Sequence, residues 1–201
     1  MTLSRTQVAE DMAARTDEEL ALALQEGNAR AFEELVRRHQ GRVYAVAYRI
    51  TLNREDALDA AQESLVKAFQ KIHAWQPTSG FVPWLMRLTT NHAIDLVRKR
   101  NRRRHESLDD EAQTSGRTAH DTHASRDTEQ QVRAEEIDQR VNRALSVLSV
   151  TQRAVFAMRH YEGLQLNEIA EVIGCTVGSV KVHLFRALKK MQVELRDLYE
   201  D

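Results

Sequence analysis

Residues 164–195, LQLNEIAEVIGCTVGSVKVHLFRALKKMQVEL, carry side chains of the types that touch nucleic-acid bases, at helical spacing. At roughly 100° per residue, Val177, Val180, Leu184, Leu188, Met191 and Leu195 fall on one apolar stripe, the side a helix buries. Opposite lie Gly178, Ser179, Val182, Arg186 and Lys189, with Lys181, His183 and Phe185 on the flanks. That outer face offers hydrogen-bond donors and an apolar contact. An arginine there can bond guanine through both arms of its guanidinium, and an apolar side chain can meet a thymine methyl.

The preceding residues complete the arrangement. Asn167 to Ile173 reads as a short helix with Ile169, Ala170 and Ile173 turned inward. It stops at Gly174, a residue type that enters the left-handed conformation without strain. Thr176 suits the N-cap of the next helix, with Ser179 three places on. A short helix, a turn containing glycine and a longer helix form the helix-turn-helix pattern, whose second helix enters the major groove. An ordinary helical hairpin with a solvated face is the alternative that spacing leaves open.

Catalytic chemistry has no such foundation. The eight histidines, at 39, 73, 92, 105, 120, 123, 160 and 183, form no HExxH and no Cys/His zinc spacing. Glycine-rich phosphate loops and GxSxG are missing too, so no enzyme, metal site or cofactor is expected. The single cysteine, Cys175, excludes an internal disulfide and reads as a packing residue in the turn between helices.

The elements that must position the reading face are helical throughout. With 2 Pro and 7 Gly in 201 residues, an all-α fold is expected. Thr16 and Glu19 form a capping box opening a short helix through Leu20, Leu22 and Leu24, which breaks at Gly27-Asn28. From Ala29 the periodicity runs through Phe32, Leu35, Val36, Val43, Ala47 and Ile50, as one helix or as two in line near Gly41, to a stop around Thr51-Leu52-Asn53. Asn53 starts the next helix, Glu55 to His73, with Leu58, Leu65, Phe69 and Ile72 predicted inward and Asp56, Asp59, Gln62, Glu63, Lys67 and Gln70 outward. A loop with both prolines follows, and Pro83 suits the first turn of a helix through Trp84, Leu85, Leu88, Ala93, Ile94 and Val97. That helix leaves in Arg98-Lys99-Arg100-Asn101-Arg102-Arg103-Arg104, six positive charges in seven residues. Periodicity returns at Ile137, Val141, Ala144, Leu145 and Leu148, and Ser149 with Gln152 opens another capped helix.

The net charge of -1 conceals segregation: residues 37–104 hold 14 Lys/Arg against 5 Asp/Glu, and residues 105–139 hold 3 against 10. A chain polarised in this way separates a polyanion-binding module from a tail or linker. Residues 105–134 have almost no apolar side chains and read as a flexible acidic linker. The chain therefore divides into an N-terminal extension (1–15), a first helical domain (16–104), the linker (105–134) and a second helical domain (135–201). No apolar run approaches a membrane span and the N-terminus lacks the order of a signal peptide, so a cytoplasmic chain without stable membrane insertion is expected.

Three stretches, DALDAAQESLVKAFQKI (56–72), FVPWLMRLTTNHAIDLVRKRNRR (81–103) and EGLQLNEIAEVIGCTVGSVKVHLFRALKKM (162–191), resemble bacterial RNA polymerase sigma factors of the extracytoplasmic-function group. The resemblance implies a region 2 bundle over 16–104, a region 4 helix-turn-helix over 135–201 and, as partners, core RNA polymerase, promoter DNA and an anti-sigma factor. It implies that Asp56, Asp59, Gln62 and Glu63 contact the polymerase. Trp75, Phe81 and Trp84 would stack on opened bases of the minus-10 element, although core packing is the other reading of the tryptophans, and Asn91 would take a base turned out of the duplex. Arg98, Lys99, Arg100, Arg102, Arg103 and Arg104 would track phosphates. Thr176, Ser179, Lys181, Val182, Phe185, Arg186 and Lys189 would face the minus-35 element, with Phe185 set either on a thymine methyl or in the core. The chain departs from the family pattern in Ala60 and Ala61, which weaken the acidic patch, in Val82-Pro83, which removes a basic residue beside the promoter, and in Val182, where a small polar residue is frequent.

Overall fold

The structure, a computed structural model, describes residues 12–78, 80–108 and 139–196, and their regular elements are helices. In order they are α1 (Asp17–Gln25), α2 (Ala29–Thr51), α3 (Arg54–Gln70), a 3-10 turn (Ile72–Ala74), α4 (Phe81–Leu108), α5 (139–146), α6 (Val150–His160), α7 (Leu166–Ile173) and α8 (Val177–Glu194). The all-α expectation holds. Helix α2 is one continuous helix with Gly41 inside it, and α4 continues four residues past the predicted end of its basic run. The remainder of the expected linker, 109–134, lies outside the described residues.

The helix starts follow the local chemistry. Thr16 and Ser149 each accept from the amide three residues on, while Glu19 and Gln152 reach back to the cap amide. Asn53 accepts from Asp56 N at 2.8 Å. Helix α2 ends on Leu52 in the left-handed conformation, φ 50°, which costs a residue with a Cβ about 1 kcal/mol. Tertiary contacts hold it there, since Leu52 packs against the apolar cluster of Leu145, Leu148 and Phe156.

Helix α2 is the central element, packed by α1, α3 and α4. Helix α3 differs from the sequence expectation. Its buried residues are Ala57, Ala60, Ala61, Ser64 and Ala68, whereas Leu58 and Phe69 are exposed and Leu65 is only partly covered. A stripe of small residues lets α3 approach α2 and α4 closely, and the larger apolar side chains are left outside. Ala60 and Ala61 are therefore core positions, not replacements within an acidic patch.

The N-terminal segment is tied down by one arginine. Arg38 bonds Glu34 at 2.7 Å and Asp17 at 3.0 Å, and donates to the carbonyls of Met12, Ala13 and Arg15. Met12 is buried. Glu34 also receives two 2.7 Å bonds from Arg37. Those bonds from Arg37, opposed by burial and aided by Arg38, hold the Glu34 carboxyl down at about 2.

The C-terminal helices do not stand apart from this bundle. Helix α6 lies on α2 and α4, α7 lies on α4, and α8 packs on α6 and α7. One apolar core joins Ala154, Val155, Met158, Leu164 and Ile169 to Val43, Ile50, Met86 and Ile94. A second, smaller cluster of Ala144, Leu145, Leu148, Phe156, Ala187 and Met191 secures α5 and α8 to α6.

Because the folded-state pKa of Glu34 is depressed, its stabilisation is present above about 4.5 and is lost as pH falls toward about 2. Glu34→Gln should lower stability at pH 7 by about 1–3 kcal/mol and flatten the loss of stability across that acid window. Urea unfolding at a series of pH values measures both.

Candidate nucleic-acid interface

The start of α8 is set by its cap. Thr176 Oγ1 accepts from Ser179 N at 3.1 Å and lies 3.0 Å from Ser179 Oγ, so the two hydroxyls are engaged with each other at the start of α8. Gly174 closes α7 at φ 73°, in the left-handed conformation predicted for it. The face α8 buries is Val180, Ala187 and Met191, rotated from the predicted stripe. Val177 and Leu188 are exposed, and Leu184 and Leu195 are half-buried. The small side chain of Ala187 is the signal that would have placed this face, because α6 packs directly over it.

Lys181, Val182, Phe185, Arg186 and Lys189 are all exposed on α8. Phe185 is 68% exposed, which decides between the two readings of its ring: it is not part of the core. Three cations and two apolar side chains thus form one solvent-facing patch. Val182 and Phe185 have the chemistry for thymine methyls, and Arg186 has the fork geometry for a guanine edge.

The aromatic loop is a different matter. Trp75 is 1% exposed and Phe81 2%, edge-on to each other at 6.1 Å, so as placed neither ring offers a face to a base. This corrects the expected stacking role of both. The loop is pinned from α1: Gln25 donates to the carbonyls of Ile72 and Trp75, and Glu18 accepts from the Phe81 amide at the start of α4. Trp84, half-buried at 5.8 Å from Phe81, is the aromatic that keeps part of its surface outside. Asn91 is exposed one turn before Asp95. Beside it, His92 lies 3.3 Å from Lys67 Nζ, and burial first, then the lysine charge, pushes its pKa down.

The basic end of α4 holds Arg98, Lys99, Arg102, Arg103 and Arg104 in the open. Arg100 differs from its neighbours, since its guanidinium bonds Asp56 and donates to the Thr51 carbonyl at 3.0 Å. A cation assigned to DNA and a carboxylate assigned to the polymerase therefore neutralise each other. Of the remaining expected polymerase contacts, Asp59 and Gln62 are exposed and Glu63 pairs with Lys67 at 3.2 Å. The sequence reading missed the apolar part of this face: Leu58, Val66 and Phe69 are each close to half exposed, with Phe69 resting against Phe32 at 4.9 Å. Among the described residues no group of three or more His, Cys, Asp or Glu side chains could hold a metal ion. No described helix is long and apolar enough to cross a membrane.

Family models match two parts of the chain, sigma-70 region 2 over residues 35–103 and sigma-70 region 4 over residues 138–191. The chain is 30% identical over 188 residues to RNA polymerase sigma-H factor of Pseudomonas aeruginosa, covering 92% of this chain and 96% of that protein. It is 32% identical over 164 residues to ECF RNA polymerase sigma factor SigE of Mycolicibacterium smegmatis, covering 81% of this chain and 60% of that one. Among solved structures it is similar to CnrH in complex with the cytosolic domain of CnrY, with a TM-score of 0.65 and 25% identity over 90% of this chain and 97% of that one. Sigma factor RpoE in complex with the anti-sigma factor NepR from Bartonella quintana shares the fold, with a TM-score of 0.64 and 24% identity over 82% of this chain and 96% of that one. Two sigma-70 regions in order and near full-length likeness to such relatives place the chain in the extracytoplasmic-function group of the sigma-70 family.

Proposed function

We propose that this chain binds core RNA polymerase through the exposed face of α3, sets Asn91, Trp84 and the basic end of α4 on the minus-10 region, and sets α8 on the minus-35 element. The observation that carries this reading is the outer face of α8, where Lys181, Val182, Phe185, Arg186 and Lys189 stand clear of the core beside a capped helix start. Arg98 to Arg104, with Arg100 held back by Asp56, supply phosphate contacts, which give affinity and salt dependence but no sequence information. On α3, Asp59 and Gln62 border Leu58, Val66 and Phe69, a mixed surface in which the apolar side chains supply buried area and the polar ones direct the approach.

The domain boundaries follow from the same reading: 16–104 for the first module, 135–201 for the second, with 105–134 between them. The 30 residues from 109 to 138 would reach about 100 Å if fully extended, enough to let the modules part along a promoter. An anti-sigma factor as partner comes from the family resemblance, and the similarly folded RpoE was solved with one.

Transcription from a panel of promoters by purified core polymerase, with and without the chain, tests this function. Specific new starts are expected; DNA binding without them would leave a stand-alone duplex-binding regulator. Phe69→Asp should weaken capture by core polymerase about tenfold or more by placing a charge in the apolar part of the docking face, while leaving duplex binding unchanged.

The base readers and the phosphate trackers separate in a salt titration. Arg186→Ala should cost about 1–3 kcal/mol of discrimination at one minus-35 position, whereas changing Arg102, Arg103 and Arg104 to alanine should weaken binding to every sequence and flatten its salt response. Replacing minus-35 thymines with deoxyuridine removes only methyl groups. It should weaken binding to the wild-type chain and leave Phe185→Ala/Val182→Ala unaffected.

A further inference from the structure

A polar seam between α3 and α4 holds two side chains, Lys67 and His92, which the proposed function does not use. Lys67 pairs with Glu63, one turn before it on α3, at 3.2 Å. Its Nζ also lies 3.3 Å from Nδ1 of His92 on α4. An ammonium group can only donate, so Nδ1 is the acceptor of this hydrogen bond and the proton of the neutral ring sits on Nε2. The tautomer of His92 is therefore fixed by its neighbour across the seam.

The ring is also held neutral. Burial first, and then the Lys67 charge, push its pKa below the ordinary histidine value, against the weaker pull of Glu63 and Asp59 on α3 and Asp95 on α4. At pH 7 and above, His92 thus offers one donor of fixed position and no charge. That donor has no partner within the protein. Among the described residues no acceptor meets Nε2, and the atom is not buried, so it stays open to solvent.

Its place on α4 gives that donor a use. His92 follows Asn91 directly and is half-buried, and the exposed Asp95 and Lys99 lie three and seven residues on, along the same side of the helix. It therefore borders the exposed face on which Asn91 stands. Phosphate affinity comes from charge and the release of counterions, neither of which a neutral imidazole supplies. Sequence discrimination comes from hydrogen bonds to base edges, and a donor whose direction is set in advance provides one.

We propose that His92 is a specificity-determining residue, donating from Nε2 to an acceptor on an unpaired base beside the one given to Asn91, and that Lys67 positions it by holding Nδ1. The proposal deepens the minus-10 reading and rests on it. Carbonyl oxygens and unprotonated ring nitrogens of a base are acceptors of the kind this donor fits. Lys67 reaches the ring from α3, the helix assigned to the polymerase, so the base-facing donor is set by the packing of α3 on α4 and not by α4 alone.

Two measurements on the full-length chain test this. Nitrogen NMR shifts of the His92 ring should show the Nε2–H tautomer, and its titration should show a pKa that rises in Lys67→Met and falls further in Glu63→Gln. In transcription by core polymerase from promoters changed singly across the minus-10 element, His92→Leu should lose about threefold to tenfold of discrimination at one position, with the salt response unchanged. His92→Gln, which keeps an N–H donor, should restore part of it. Lys67→Met should lose discrimination at that same position, and His92→Leu/Lys67→Met should lose no more there than His92→Leu alone. Circular dichroism checks folding, and His92→Phe, a ring without the donor, repeats the test if leucine disturbs the bundle. An Nδ1–H tautomer, a loss spread over every sequence with a flatter salt response, or folded leucine and phenylalanine variants that discriminate as the wild type does, each overturns the inference and leaves the promoter reading standing. A wild-type chain that gives no specific starts overturns that reading, and the base contact with it.

Discussion

Helices α1, α3, α4 and α6 are placed by the need to cover α2 on more than one side. Val43, Val46, Ala47 and Ile50 of that helix are wholly buried, and each larger one contributes about 1.5–3 kcal/mol when removed from water. The bundle of α1, α3 and α4 accounts for much of that cover, and α6 from the second module completes it. The small-residue face of α3 follows from the same demand, since only alanine and serine allow so close an approach on two neighbours. Its larger apolar side chains Leu58, Val66 and Phe69 then have nowhere to go but outward, and the outer face of α3 is left partly apolar.

The charges divide in a corresponding way. Those inside or at the edge of the bundle are spent on structure: Arg38 and Glu34 hold the N-terminal segment, and Arg100 closes on Asp56 and the end of α2. The exposed cations cluster at the end of α4 and along the outer face of α8, two places where a polyanion could be met. Arg153 fits neither class. It is buried and unpaired, at the seam where one module meets the other, and this is the position at which the fold is least consistent with itself.

Local signals in the sequence translated directly into structure. The Thr16/Glu19 and Ser149/Gln152 boxes, the Asn53 and Thr176 caps, and the left-handed Gly174 all occur where residue types and spacing placed them. Each depends on atoms within a few residues of one another. The family resemblance was equally legible, because it rests on the order of three stretches and not on how they pack. The rotational setting of α3 and α8 was less so: hydrophobicity ranks leucine and phenylalanine as inward, but packing distance favours alanine where two helices cross.

What the amino-acid sequence determined by itself was the inventory: an all-helical chain with its helix caps, a helix-turn-helix, an exposed cationic run and the family to which the chain belongs. What the tertiary structure decided was which side of each helix is covered, that Trp75 and Phe81 serve the core, that Arg100 belongs to Asp56, and that the two modules share one apolar interior. Those outcomes depend on distances between residues tens of positions apart, such as Arg42 and Glu162. Periodicity along the chain carries no information about such distances.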